Sequence, residues 1–302
     1  MWPREEVVRA LRARGELWEP SAGVTALRGD AAALFRDLER AIGAVCGLET
    51  SDEWRVPPAI GFETLARAEY FASFPHWLTL TSHLSDDEEM LRRVAEHNEP
   101  ALVMKDASAP PQAALNPAVC YHVYAALAGT VIESPALVTA QSECWRHEGT
   151  RHATLERGWA FTMREVVCIG SDDDARAFLE RGTGRVSDFA RSLGLDPTLA
   201  VATDPFFAPT GRAKHVLQRM KELKHELLLP IGTRDRIAAS SFNLHETFFG
   251  DAFRIRLRSG APATTACVAF GLDRWLLAFL VRHGPCASGW PSIDAFTEVP
   301  HG

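Results

Sequence analysis

Residues 159–169, WAFTMREVVCI, decide the architecture together with the stretch before them, residues 137–148, LVTAQSECWRHE. Both read as strands, and the polar segment between them has glycine at each end, Gly149 and Gly158. They read as the arms of an antiparallel hairpin with a long tip. Alternation with period two puts Phe161, Met163, Glu165, Val167 and Ile169 on one side of the second arm. One carboxylate thus stands in an apolar row, and a lone buried carboxylate is costly unless it is paired with a cation or bound to a metal. Two readings of Glu165 stay open here: an edge-strand glutamate paired with an arginine, or a metal ligand. On the first arm Arg146 and Glu148 share a face one pleat apart, which a simple surface ion pair also explains.

Further along, residues 264–270 read as a strand, Gly271 as a break, and 272–283 as a helix ended by Gly284. Arg274 falls in that helix's first turn, where a cation opposes the macrodipole; an anion such as phosphate, or a carboxylate such as the adjacent Asp273, would account for it. Ser171 followed by Asp172, Asp173 and Asp174 is a capped helix start in preference to a metal-binding triplet. Helical periodicity covers 31–42, 86–96, 118–128, 173–181 and 214–227, interleaved with strands, so the fold class is mixed α/β. Within 214–227, Val216, Met220, Leu223 and Leu227 form an apolar stripe, Lys214 and Lys221 lie away from it, and Lys224 abuts it, facing a cleft or snorkelling. These three and Lys105 are the only lysines. No repeat or low-complexity linker divides the chain, and the proline-rich 106–117 reads as a loop within the body, so a single domain over 1–302 is expected.

With 302 residues, ordinary apolar content and a formal charge of −7, a disulfide-stapled miniprotein, a fibre or a disordered tail is excluded, and non-specific nucleic-acid binding is disfavoured. Six cysteines without a C-x-x-C pair fit a reducing cytoplasm. Residues 1–14 alternate charge with apolar side chains, and 275–281 is too short to span a bilayer, so a soluble, cytoplasmic protein with no membrane partner is expected. The P-loop, G-x-G-x-x-G, G-x-S-x-G and H-E-x-x-H patterns do not occur, and the eleven scattered histidines mark no Ser/His/Asp triad.

The order CWRHE (144–148), a variable loop, FTMREVV (161–167), SSFN (240–243) and AFGLDR (269–274) resembles motifs 2 and 3 of class II aminoacyl-tRNA synthetases of the seryl type. NPAVC (116–120) stands where the seryl enzymes have P-T-x-E, and FASFPH (71–76) where a motif 1 strand begins. Upstream, the long helical arm that grips tRNA is missing. A seryl-like core with Cys120 in place of the glutamate is similar to the amino acid:[carrier protein] ligases, which charge the phosphopantetheine thiol of a carrier protein and not tRNA. The similarity covers essentially the whole chain. It implies a class II antiparallel sheet flanked by helices, one catalytic domain without a tRNA-binding domain, and a homodimer.

The resemblance also implies a site. Cys120, Glu165 and Cys267 match the family's zinc ligands; two thiolates and a carboxylate suit Zn²⁺, and a fourth position stays open for the substrate's α-amino group. Arg146 would hold the α-phosphate of ATP and the substrate carboxylate, Glu148 the adenine amino group, and Phe161 would stack on the base, with Arg274 opposite reaching the γ-phosphate. Arg157, Trp159 and the run Ala239, Ser240, Ser241 and Phe242 would lie close to the nucleotide, and Asp204 and Lys224 would line the amino acid pocket. Magnesium is expected, but the aligned acidic position is Ile237, with Asp235 only nearby. The implied reaction is ATP-dependent activation of a small amino acid, glycine or alanine, and its transfer to a carrier docked on the 212–221 helix or on Arg176, Arg181 and Arg185. A non-catalytic paralogue acting as an amino acid or adenylate sensor or scaffold is the alternative, and retention of Arg146, Glu148 and Arg274 speaks against it. A tRNA-charging enzyme with its arm supplied in trans is disfavoured by the negative charge.

Overall fold

The computed structural model describes residues 1–45, 51–102, 107–133, 135–149 and 152–293; the readings that involve Cys46, Lys105 and Asp106 lie outside them. The chain opens with helix α1 (Arg4–Ala13), the hairpin β1 (Leu17–Ser21) and β2 (Val24–Leu27), and helix α2 (Gly29–Val45), which precedes strand β3 (Asp52–Arg55). Strands β4 (Ala59–Gly61), β5 (Leu80–Thr81) and β6 (Ala113–Leu115) form a small separate sheet, among short helices α3 (Phe62–Arg67), α4 (Tyr70–Ser73), α5 (Glu88–His97) and α6 (Pro100–Leu102). Helix α7 (Cys120–Ala126) and strand β7 (Val131–Ile132) lead into the long hairpin β8 (Ala136–Trp145) and β9 (Ala160–Gly170). Helix α8 (Asp172–Ser192), β10 (Thr198–Val201), α9 (Ala208–Met220), β11 (Lys224–Pro230), β12 (Arg236–Glu246), α10 (Phe248–Ala252), β13 (Arg256–Leu257), β14 (Thr264–Gly271) and α11 (Leu272–His283) follow.

Seven strands make the main sheet in the order β10-β11-β12-β14-β9-β8-β3, antiparallel throughout except for β3 beside β8. The expected hairpin pairs continuously from Ala136 opposite Ile169 to Trp145 opposite Ala160. Because β9 lies between β14 and β8, Glu165 is an interior residue, which removes its edge-strand reading. Alternation serves both faces of the sheet. Val166, Cys168, Ala266, Val268 and Phe270 pack into one core with α2, α8 and α11, while Met163, Val167, Ile169 and Cys267 belong to a second core with α7 and α10. That second face carries the site.

The termini of two helices bear out their local signals. Ser171 and Asp174 form a reciprocal capping box at the start of α8, so the Asp triplet is a cap. Helix α11 runs over the expected residues and ends at Gly284, whose φ of 87° suits glycine; a Cβ there would meet the Trp2 indole at 2.7 Å. Helix α8 passes the expected stop at 181 because Gly182 lies inside it, where a Cβ would stand 3.1 Å from Val268.

Three expectations change. The helix read over 214–227 ends at Met220; Glu222 adopts φ 50°, and Lys224 begins a strand. The apolar stripe expected to face the body is partly turned to solvent, with Val216 55% and Met220 79% exposed. Residues 71–76 form the end of α4 and part of a 3-10 turn, Pro75–Trp77, where a strand was expected. Among the described residues no helix is long and apolar enough to cross a membrane.

Candidate active site

Cys267 on β14 lies opposite Asn243 of β12 and Val167 of β9, and Glu165 lies opposite Ala269, two residues further along β14. Glu165 and Cys267 are therefore diagonal neighbours on one face, with Cys267 Sγ 3.7 Å from Glu165 Oε1. Cys120 is the first residue of α7, and its backbone N–H donates to Glu165 Oε2. The ligand atoms of Cys120, Glu165 and Cys267 all lie within 4.8 Å of one another, and all three residues are buried. Burial, with the Cys267 charge beside it, pushes the Glu165 carboxyl up to about 8. Hydrogen bonding from the Cys120 thiol holds Cys267 well below the ordinary thiol range, and the same bond together with burial holds Cys120 well above it. This is an anionic, water-poor cluster whose soft donor set fits Zn²⁺ with one coordination position left over.

The cluster opens on a cavity of about 500 Å³, within the range of small-molecule sites. Cys120, Glu165, Cys267, Arg146, Glu148, Arg157, Phe161 and Arg274 all line it, and so do Ala239, Ser240, Ser241, Asp204 and Lys224. Arg146 follows the end of β8; its Nε donates to Pro117 O at 2.9 Å, and its guanidinium lies 5.2 Å from the Trp77 ring centroid and 5.4 Å from that of Phe161. Glu148 does not pair with Arg146, as the sequence allowed, but sits 3.6 Å from Arg157. Arg274 donates to the carbonyls of Glu156 and Ala238, each at 2.9 Å, and forms no salt bridge among the described residues. Burial without a carboxylate partner lowers its pKa. Neighbouring Asp273 instead accepts the Thr162 N–H at 2.7 Å. A desolvated guanidinium facing a cavity is suited to an anionic ligand.

Two expected residues do not line the cavity. Phe242 is buried in the core on the opposite face, and the Trp159 indole donates to Thr79 Oγ1 at 2.9 Å while packing edge-on against Trp145. Elsewhere in the cavity wall, Lys224 Nζ lies 2.6 Å from Asp204 Oδ1 and 3.2 Å from Glu226, and Gln218 of α9 donates to Asp204 Oδ2 at 2.8 Å. Glu226, Tyr70 and His245 line the cavity and were not singled out in the sequence. Reading 224–230 as a strand would have put Glu226 on the Lys224 face by alternation. Ile237 is a core residue, and Asp235 is largely exposed and outside the cavity.

No family model matches the chain. Among known proteins it is similar to amino acid–[acyl-carrier-protein] ligases 1 and 2 of Bradyrhizobium diazoefficiens, 36% identical to each over 252 and 265 residues, which cover 82% and 86% of this chain and 77% and 79% of theirs. The chain belongs to the amino acid–[acyl-carrier-protein] ligase family. It is also 29% identical over 256 residues to the type-2 serine–tRNA ligase of Methanopyrus kandleri, spanning about half of that protein's length, 48%. The structure of M. kandleri SerRS in complex with A. aeolicus tRNASec superposes with a TM-score of 0.85 over 98% of this chain and 60% of that one, at 24% identity. The ligase family thus shares its fold with seryl-type class II enzymes, and the expected family and fold class are borne out.

Proposed function

We propose that this ligase adenylates a small amino acid with ATP and transfers the aminoacyl group to the phosphopantetheine thiol of a carrier protein. The observation that carries this reading is the juxtaposition, in one cavity, of the buried Cys120–Glu165–Cys267 cluster with Arg146 and Arg274. A substrate carboxylate oxygen attacks the α-phosphorus and pyrophosphate leaves; the carrier thiolate then attacks the carbonyl carbon and AMP leaves. Charge accumulates on the α-phosphate in the first step, next to the fork of Arg146, while Arg274 meets the outer phosphates. Phe161 offers a face for the base, and Glu148 an acceptor for its amino group. A Zn²⁺ bound by Cys120, Glu165 and Cys267 would hold the α-amino group as the neutral amine. Glycine or alanine suits a site whose walls beside the cluster include Tyr121, Phe249 and Met163. For Mg²⁺, Glu226 is a better placed carboxylate than Asp235, because it lines the cavity.

The same proposal has one catalytic domain acting as a cytoplasmic homodimer that charges no tRNA. The five described cysteines are all free, which supports a reducing compartment. The carrier docks on α9: Lys214 and Leu217 of that helix line the cavity while Val216 and Met220 face solvent, so a docked partner is within reach of the active centre.

Amino-acid-dependent ATP/pyrophosphate exchange, run over all twenty amino acids on protein of measured zinc content, tests the proposal. Exchange with one or two small amino acids that vanishes in Cys267→Ala is the expected result. Zinc-loaded protein that supports exchange with none of them overturns it.

A further inference from the structure

Strand β12 carries an irregularity beside the metal cluster. Opposite β14, Leu244 pairs with Ala266 and Glu246 with Thr265, so His245 is the extra residue of a β-bulge, and Glu246 beyond it adopts φ 52°. Bulges re-aim a side chain, and this one directs the His245 ring into the cavity. His245 Nε2 stands 3.8 Å from Cys267 Sγ, and Asn243 Nδ2, one pleat earlier on the same strand, stands 3.4 Å from the same sulfur. On the other side of the ring, Nδ1 lies 3.3 Å from Tyr124 Oη and 3.2 Å from Thr265 Oγ1. Both of these neighbours are hydroxyls able to donate, whereas a thiolate only accepts. The arrangement satisfied throughout is Nδ1 accepting and Nε2–H donating to sulfur. Phe249 and Tyr124 wall the ring in edge-to-face contacts at 4.9 and 6.1 Å, so it has little freedom to turn.

We infer that His245, beside Asn243, is a positioning residue that clamps the Cys267 sulfur through an N–H···S bond and thereby sets how tightly the Cys120–Glu165–Cys267 site holds its metal. The inference rests on the metal reading above and goes beyond it, since neither residue is a ligand. An N–H donor draws electron density from the thiolate and fixes its direction, and outer partners of this kind change metal affinity about 10- to 100-fold. The bulge is then the feature of the fold that brings the donor to the sulfur; the acceptor-only sulfur selects the Nε2–H tautomer, and Nδ1 is left to accept from Tyr124 or Thr265.

The test uses the full chain, with zinc affinity from chelator competition and the sulfur-to-metal charge-transfer band of the Co²⁺-loaded protein. His245→Gln keeps an N–H near the Nε2 position, and His245→Phe keeps the ring against Phe249 but removes the donor. Expected are near-native affinity for the Gln variant, a loss of about 10- to 100-fold for the Phe variant, and a shift of its cobalt band to lower energy as the sulfur becomes more electron-rich. Where the Phe variant does not fold, the double change Tyr124→Phe and Thr265→Val, which leaves Nδ1 without a hydrogen bond and loosens the ring against the sulfur, gives a smaller loss and the same direction of band shift. A folded His245→Phe, or that double variant in its place, with native affinity and an unshifted band overturns the inference while leaving the metal site intact. Wild-type protein that takes up neither metal overturns the metal reading itself, and this inference with it.

Discussion

Asp273 and Arg274 are adjacent, oppositely charged and half-buried at the cavity, yet each is held by backbone groups instead of by the other. For Asp273 the consequence is a carboxyl that burial pushes up to about 6. A raised carboxylate pKa means that the folded state binds the proton more tightly than the unfolded chain, so the stabilising contribution is complete below the unfolded value and is lost as pH rises through about 6. The slope from this single group is at most about 1.4 kcal/mol per pH unit. Urea titrations between pH 4 and 7 should show Asp273→Asn losing less stability than wild type as pH rises, because its amide keeps the acceptor for the Thr162 N–H and has no charge to develop. Parallel wild-type and variant curves would assign the pH dependence elsewhere. None of this could be read from the sequence, where Asp273 served only as a plausible partner for Arg274. The choice of backbone partners depends on Ala238 and Glu156, which the fold brings in from two distant segments.

Elements were legible in proportion to the length of their pattern. The β8–β9 hairpin alternates over ten paired positions, enough to distinguish period two from period 3.6, and α11 carries a glycine at each end as punctuation. The stretch 214–227 has neither advantage. Its helix and strand are joined through Glu222, a left-handed residue that is neither glycine nor asparagine, and the apolar residues on both sides happen to continue a helical stripe. Misreading that junction hid Glu226 and led the stripe to be placed inward. With α9 ending at Met220, the exposed Val216 and Met220 become a surface left open to solvent among the described residues, flanking a cavity into which a phosphopantetheine arm must reach. Neither residue lines the cavity, so binding and chemistry can be separated. Met220→Glu combined with Val216→Glu is expected to leave ATP/pyrophosphate exchange within about twofold and to raise the KM for the carrier about tenfold, a change of about 1.4 kcal/mol. Equal losses in both assays would show that α9 serves the first step instead of docking.

At the scale of the molecule, the Cys120–Glu165–Cys267 cluster joins parts of the chain that sequence spacing gives no reason to connect. Cys120 and Glu165 are 45 residues apart, Glu165 and Cys267 are 102 apart, and the three sit on α7, β9 and β14. Without family resemblance the triple is invisible, since no short C-x-x-C spacing announces it; the pairing of β9 with β14 and the packing of α7 on that face are what make it a site. The same distance would give a bound metal, as proposed above, a structural role. An unfolded chain has no such site, so binding free energy is folding free energy, and about 4 kcal/mol is gained when free metal exceeds the dissociation constant a thousandfold. The cluster has further reason to respond, because Glu165 and the Cys120–Cys267 pair otherwise compete for protons in a buried, anionic space. At about 2–4 °C per kcal/mol for a chain somewhat shorter than this one, stripping the metal should lower the melting temperature by about 5–15 °C. Calorimetry with and without a strong chelator measures it, and Cys267→Ala, already lacking a ligand, should melt at the lower temperature and ignore the chelator. If the wild-type protein is shown to lose its zinc and still melts unchanged, the site binds metal for substrate alone, and the sheet is held together by its two apolar cores.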